Sequence, residues 1–156
     1  MSKNTNISVI QLIKDGEISI DLEIEKIHAN KDVNVNVRKF LGRSSDYQAI
    51  KKRIEEAEAE REKSQGEELI FLEKKVHDLK VAEKDYITNA LLLAKAFSEI
   101  EVPTERLRKA MELFEKGQIK QADELLVIAD LLDDQFNLLV LIEYKEAKLK
   151  LLENGQ

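Results

Sequence analysis

The sequence predicts a mainly α-helical chain that opens with a small β-hairpin, continues as a long antiparallel helical hairpin and ends in short antiparallel helix pairs. Charged residues make up 36% of its 156 residues, aromatics only 5%, and there is one Pro, a mix that favours long exposed helices over sandwiches or barrels. Near the amino terminus apolar and polar residues alternate with period two. Beyond Gly66 apolar residues recur at three- and four-residue steps for long enough to make one extended helix.

In residues 17–24, Ile18, Ile20, Leu22 and Ile24 alternate with Glu17, Ser19, Asp21 and Glu23, the pattern of a half-buried strand. Asn34 and Asn36 separate Val33, Val35 and Val37 in the same rhythm, and the polar stretch 28–32 between the two runs is rich in turn formers. Together they predict a β-hairpin. The apolar segment 7–13, ahead of Asp15-Gly16, fits either a third strand or a short helix. A two-stranded hairpin is marginal alone in water, so its apolar face needs cover from helices or from another copy. Residues 1–43 are therefore expected to form a hairpin segment able to drive assembly.

Ser45 and Gln48 stand in capping-box spacing ahead of Ile50, Ile54 and Ala57, which predicts a helix over 46–63. Ser64-Gln65-Gly66 breaks it. Leu69, Leu72, Val76, Leu79, Tyr86, Ala90, Leu93, Phe97 and Ile100 then form a heptad seam interrupted only by Glu83. That seam predicts one helix of about 48 Å at ~1.5 Å per residue, antiparallel to the preceding one, so that 44–102 reads as a coiled-coil-like helical hairpin. Its second half, with Ala90, Leu91, Leu92, Leu93, Ala94, Ala96 and Phe97, is apolar on most of its circumference and must be buried among several helices. Pro103 ends it. Thr104 is the expected cap of a helix over 105–116, Gly117 stops that helix, another covers about 120–132, and Asp133-Asp134 opens a last one reaching 153. Residues 103–156 form the third region.

Twenty-five Lys and Arg against 31 Asp and Glu give a net charge of -6, a field that repels phosphate backbones and anionic membranes. Neither nucleic acid nor membrane is an expected partner. The absence of Cys removes disulfides, thiolate metal sites and cysteine nucleophiles. With no signal-peptide pattern and no long apolar run, a cytoplasmic location is expected. His28 falls in the expected hairpin turn and His77 outside the heptad seam. Glu73 and His77 are one helical turn apart but lack a third ligand, and no Gly-rich phosphate loop is present. No catalytic residue, metal or cofactor is expected, and the chain is not expected to be an enzyme. Tyr47, Tyr86 and Tyr144 are expected to pack their rings and expose their hydroxyls.

The most informative segment is 106–130, where Ala110, Leu113, Gly117, Ile119, Ala122, Leu126 and Ala129 follow the spacing of small and large signature positions in a helix-turn-helix unit. In this it resembles a tetratricopeptide repeat of bacterial proteins, in divergent form, since Arg106 and Lys109 stand where that family usually shows apolar residues. Physically, Ala110 and Ala122 let two antiparallel helices approach, Gly117 supplies the turn, and Leu113 and Leu126 fill the groove between them. Residues 148–156 echo residues 110–118 position by position, as the start of a second repeat would. Phe136, Leu138, Leu139, Val140, Leu141, Ile142 and Tyr144 make the last helix too apolar for a solvated cap. The chain is accordingly expected to be an amino-terminal piece of a longer repeat protein, or else to have this face covered by a partner or a second copy.

The resemblance implies a non-catalytic protein–protein interaction scaffold holding a protein or peptide partner, with Arg106, Lys109, Lys116 and Gln118 as the candidate partner-binding residues. A homo-oligomeric structural unit is the alternative. Residues 40–50 also resemble the lead-in to the nucleotide-binding loop of signalling ATPases, without the loop itself. That likeness implies a third reading, a regulatory subunit of a bacterial signalling ATPase or protease system, and leaves Gly42-Arg43 as a turn in which Arg43 can pair with a carboxylate.

Overall fold

A computed structural model describes residues 8–126 and 137–154. Among the described residues the only regular elements are eight α-helices: α1 (Val9–Lys14), α2 (Ile20–His28), α3 (Val35–Gly42), α4 (Ser45–Glu62), α5 (Gly66–Glu99), α6 (Glu105–Glu115), α7 (Ile119–Glu124) and α8 (Leu138–Asn154). None of them is long and apolar enough to cross a membrane.

The expected amino-terminal β-hairpin is not formed, and both of its strands are helices. In α2, Ile20 and Ile27 are buried with Glu23 between them, whereas Leu22, which the period-two pattern would bury beside them, is 50% exposed. Ser19 caps the helix by accepting from Leu22 N at 3.3 Å. Asp21 and Glu23 sit in its first turn and Lys26 and His28 in its last, the arrangement that suits the helix dipole. In α3, Val37, Phe40 and Leu41 turn inward at helical spacing while Val35 is 50% exposed, and the Asn34 side chain accepts from Asn36 N at 2.8 Å. Segment 9–14 resolves as helix, capped by Ser8, whose hydroxyl accepts from Gln11 N at 3.1 Å. Glu23, only 2% exposed, is satisfied by Lys26 Nζ at 3.0 Å and by Asn34 N at 2.6 Å, which ties α2 to the start of α3.

The later helices follow their expected order. The cap of α4 is Ser44 rather than Ser45, with Tyr47 N donating to Ser44 Oγ at 3.2 Å. Helix α5 is a single element of 34 residues. Its first half packs against α4, with Leu72 and Val76 of α5 and Ile54 and Ala57 of α4 buried, while its second half is the spine of the main core. There Ala90, Leu91, Leu93, Ala94, Ala96 and Phe97 are all buried among α1, α2 and α8 and the α6 side chains. Phe114 of α6 lies 4.7 Å from Phe40 and 5.6 Å from Phe97, centroid to centroid, so one aromatic cluster joins α3, α5 and α6. One contiguous core runs from Val9 to Tyr144.

Thr104 caps α6 by accepting from Leu107 N at 3.3 Å. The helix closes in a Schellman motif, Gly117 N donating to Phe114 O and Gln118 N to Leu113 O, each at 2.9 Å, with Gly117 at φ 85°. Helix α7 ends at Glu124 with Leu125 as its C-cap, where the sequence pattern carries it to about 132. The start of the last helix at Asp133-Asp134, Phe136 and the signature position Ala129 lie outside the described residues. Asn137, buried ahead of α8, holds the α5–α6 loop by accepting from Glu101 N at 3.2 Å and donating to Val102 O at 2.8 Å.

Candidate interaction groove

The α6–α7 pair is built around its small residues. Ala110, Ala122 and Leu126 are fully buried, Leu113 is half-buried, and Gly117 is buried in the turn. A Cβ on Gly117 would lie 2.8 Å from Ser44 Cα and 3.0 Å from the Arg43 carbonyl, so this turn presses directly on the α3–α4 junction.

That contact lies at the edge of a concave surface lined by Arg43 and Lys116. With Leu107, Ala110 and Phe114 turned into the core, the opposite face of α6 looks across an open groove of about 1320 Å³ to α1 and Arg43. Ile10, Pro103 and Met111 form its apolar floor. Its walls carry five cations, Lys14, Arg43, Arg108, Lys109 and Lys116, and three carboxylates, Glu105, Glu112 and Glu115. The groove is thus locally basic in an acidic chain. Among the described residues, Lys14, Arg108, Lys109 and Lys116 make no ion pair. The Arg43 guanidinium lies over the Phe40 ring, 5.6 Å from its centroid, rather than on a carboxylate. One oxygen of Glu115, Oε1, is shielded from solvent and meets no donor among the described residues.

Of the four candidate partner-binding residues, the structure brings Lys109 and Lys116 into this groove. Arg106 is half-buried outside it and engaged in an interaction of its own. Gln118, also outside it, occupies the N-cap position of α7 without a side-chain capping bond. Lys14, Arg43 and Arg108 also line the groove and are not among the partner-binding residues expected from the sequence. Arg108 adjoins Lys109, which is a visible signal, whereas Lys14 and Arg43 arrive only through packing of α1 and α3 on the core.

Other polar clusters hold the fold together. The tyrosine hydroxyls, expected to be exposed, are engaged inside it. Tyr47 stacks on Tyr86 at 6.1 Å and donates to Glu83 at 2.9 Å, which gives the interruption of the heptad seam a role. Ser44 Oγ lies 3.0 Å from Tyr86 Oη, Tyr86 donates to Asp46 Oδ2 at 3.4 Å, and the same oxygen accepts from Lys120 N at 3.1 Å. Burial, with Asp46 nearby, pushes the Tyr86 phenol up to about 12, and burial together with Glu83 raises Tyr47 as well. Tyr144 donates to Asp123 Oδ1 at 2.7 Å and lies beside Asn89, and Lys148 pairs with the second oxygen of Asp123. Burial is again the leading reason that the Tyr144 phenol is raised. His28 and His77 are exposed, and among the described residues no three metal-ligating side chains converge.

Compared with protein-family models, with curated proteins and with solved structures, the chain matches none.

Proposed function

We propose that this chain is a non-catalytic interaction scaffold whose tetratricopeptide-like helix pair and first helix together hold a segment of another protein in the α1–α6 groove. The observation that carries this reading is the groove itself, an apolar floor under a set of cations without carboxylate partners among the described residues. Apolar surface supplies association energy, and unpaired surface charge supplies steering and specificity. The tyrosine hydroxyl networks find their partners within the fold, and the groove cations take no part in them. The test is recovery of bound proteins from the native host by the full chain, in parallel with a Lys109→Glu/Lys116→Glu variant. A partner captured by the first and lost by the second is expected. Equal capture by both excludes the groove.

A second reading, a homo-oligomeric unit, is favoured by one observation. Leu139, Ile142 and Leu149 of α8 are all exposed, Leu139 at 70%, and they fall along one side of the helix. In light scattering, a molar mass that drops to that of the monomer in a Leu139→Glu/Ile142→Lys variant supports it, and a wild-type chain that is monomeric at every concentration removes it.

A further inference from the structure

We infer that the occupant of the α1–α6 groove is an acidic polypeptide segment carrying at least one large apolar side chain. This rests on the scaffold reading above and adds the chemistry of the partner. Five cations against three carboxylates line the groove, while the chain as a whole carries -6, so basic surface is concentrated where the cleft is. Lys14, Arg108, Lys109 and Lys116 are without ion pairs among the described residues, and Lys14, Arg108, Lys109 and Lys116 are exposed. An acidic ligand would give these cations the counter-charges the fold does not provide.

The three carboxylates decide between kinds of anion. A phosphate group offers only acceptors and would set its charge against Glu105, Glu112 and Glu115. A polypeptide offers acidic side chains to the lysines and backbone N–H groups to the exposed carboxylates Glu105 and Glu112. The floor of Ile10, Pro103 and Met111 adds a requirement that neither a phosphate nor an all-acidic chain meets, an apolar anchor. Met111 is an adaptable lining residue of the kind that accommodates varied apolar side chains.

The experiment uses the full chain and a dye-labelled peptide of about ten residues, which extended reaches about 33 Å, built from alternating Glu-Glu and Leu. Fluorescence anisotropy is expected to show binding that weakens as salt is raised. It should weaken by about tenfold or more in the Lys109→Glu/Lys116→Glu variant and stay unchanged in Lys74→Glu/Lys75→Glu, a charge reversal on the exposed face of α5 away from the groove. The same peptide with Ser for Leu should bind more weakly, and a Lys-for-Glu peptide or a single-stranded oligonucleotide should not compete. Absence of binding by the acidic peptide, equal binding of the lysine peptide, or stronger competition by the oligonucleotide overturns the inference. If the host-partner capture still depends on Lys109 and Lys116 while the acidic peptide does not bind, the scaffold reading stands and only the partner's chemistry falls. If neither depends on them, both fall.

Discussion

At the scale of single residues, Gly117 couples the repeat-like turn to the groove. Its φ of 85° is a conformation that side-chain-bearing residues rarely adopt, and a Cβ there would meet the Ser44 and Arg43 backbone at 2.8–3.0 Å. Backbone cannot swing aside as a flexible side chain can, so Gly117→Ala combines conformational strain with a clash, and a loss of on the order of 2–4 kcal/mol in urea unfolding is expected. The same change at Gly42, where nothing lies within 4 Å of the added carbon, should be neutral or stabilising by up to about 1 kcal/mol. Because Arg43 and Lys116 flank the Gly117 contact, the first variant should also disturb the groove while the second should not. Tyr86 yields a prediction in pH. Its phenol is raised from 10.0 to about 12, so the folded chain holds that proton more tightly than the unfolded chain. Its contribution is intact below pH 10 and lost as pH rises through about 12. Thermal unfolding should show a melting temperature that falls over this window, less steeply in Tyr86→Phe; an identical slope in both proteins would assign the alkaline loss to Tyr47 and Tyr144, which are also raised.

At the scale of elements, short helices here depend on partners distant in sequence. Helix α7 has six residues and no side-chain bond from its own N-cap residue, and a helix this short is unstable alone. Asp46 of α4 supplies the missing acceptor by taking the Lys120 N–H at 3.1 Å. Asp46→Ala should therefore cost about 1–2 kcal/mol, with Asp46→Asn recovering much of it, because either oxygen can accept the bond. Equal losses in the two variants would assign the role to charge instead. This dependence also explains what the sequence did and did not reveal. The break at Gly66, the cap at Thr104, the stop at Gly117 and the single long helix are local signals, and each appears where the pattern places it. The strands expected at 17–24 and 33–37 fail because, over so few residues, period two and period 3.6 share positions. Ile20, Ile24 and Ile27 satisfy helical spacing as well as Ile18, Ile20, Leu22 and Ile24 satisfy alternation. The deciding information was cap chemistry, Ser19 and Asn34 ahead of the two runs and Asn30 at φ 59° after the first. For the groove, Lys109 and Lys116 were legible as polar positions on a helix whose other face is apolar. Lys14 and Arg43 were not, since only the packing of α1 and α3 on the core brings them to α6.

At the scale of the whole molecule, α5 belongs to two environments, and its length hides a division in stability. From Thr88 to Phe97 it buries Thr88, Ala90, Leu91, Leu93, Ala94, Ala96 and Phe97 within the main core, whereas from Gly66 to Leu79 it buries only Leu72 and Val76. Its companion there, α4, buries only Ile54 and Ala57, and Ile70 and Phe71 are exposed nearby. A fully buried Leu or Phe contributes roughly 1.5–3 kcal/mol of burial free energy, and the far end of the hairpin has few such side chains to offset the entropy of ordering its residues. Helical hydrogen bonding along α5 is continuous, so secondary structure alone predicts uniform protection, but local opening follows buried contacts rather than helix boundaries. Amide hydrogen exchange should consequently divide α5 near Glu83, with residues 66–79 and the distal turns of α4 exchanging through local opening and residues 88–97 only with global unfolding. Most groove side chains stand on α1 and α6, whose buried faces join the same core as the slow half. A ligand in the groove should therefore slow exchange in α1 and α6 and leave the α4–α5 tip unchanged, whereas slowing at the tip would place the binding surface on the hairpin instead.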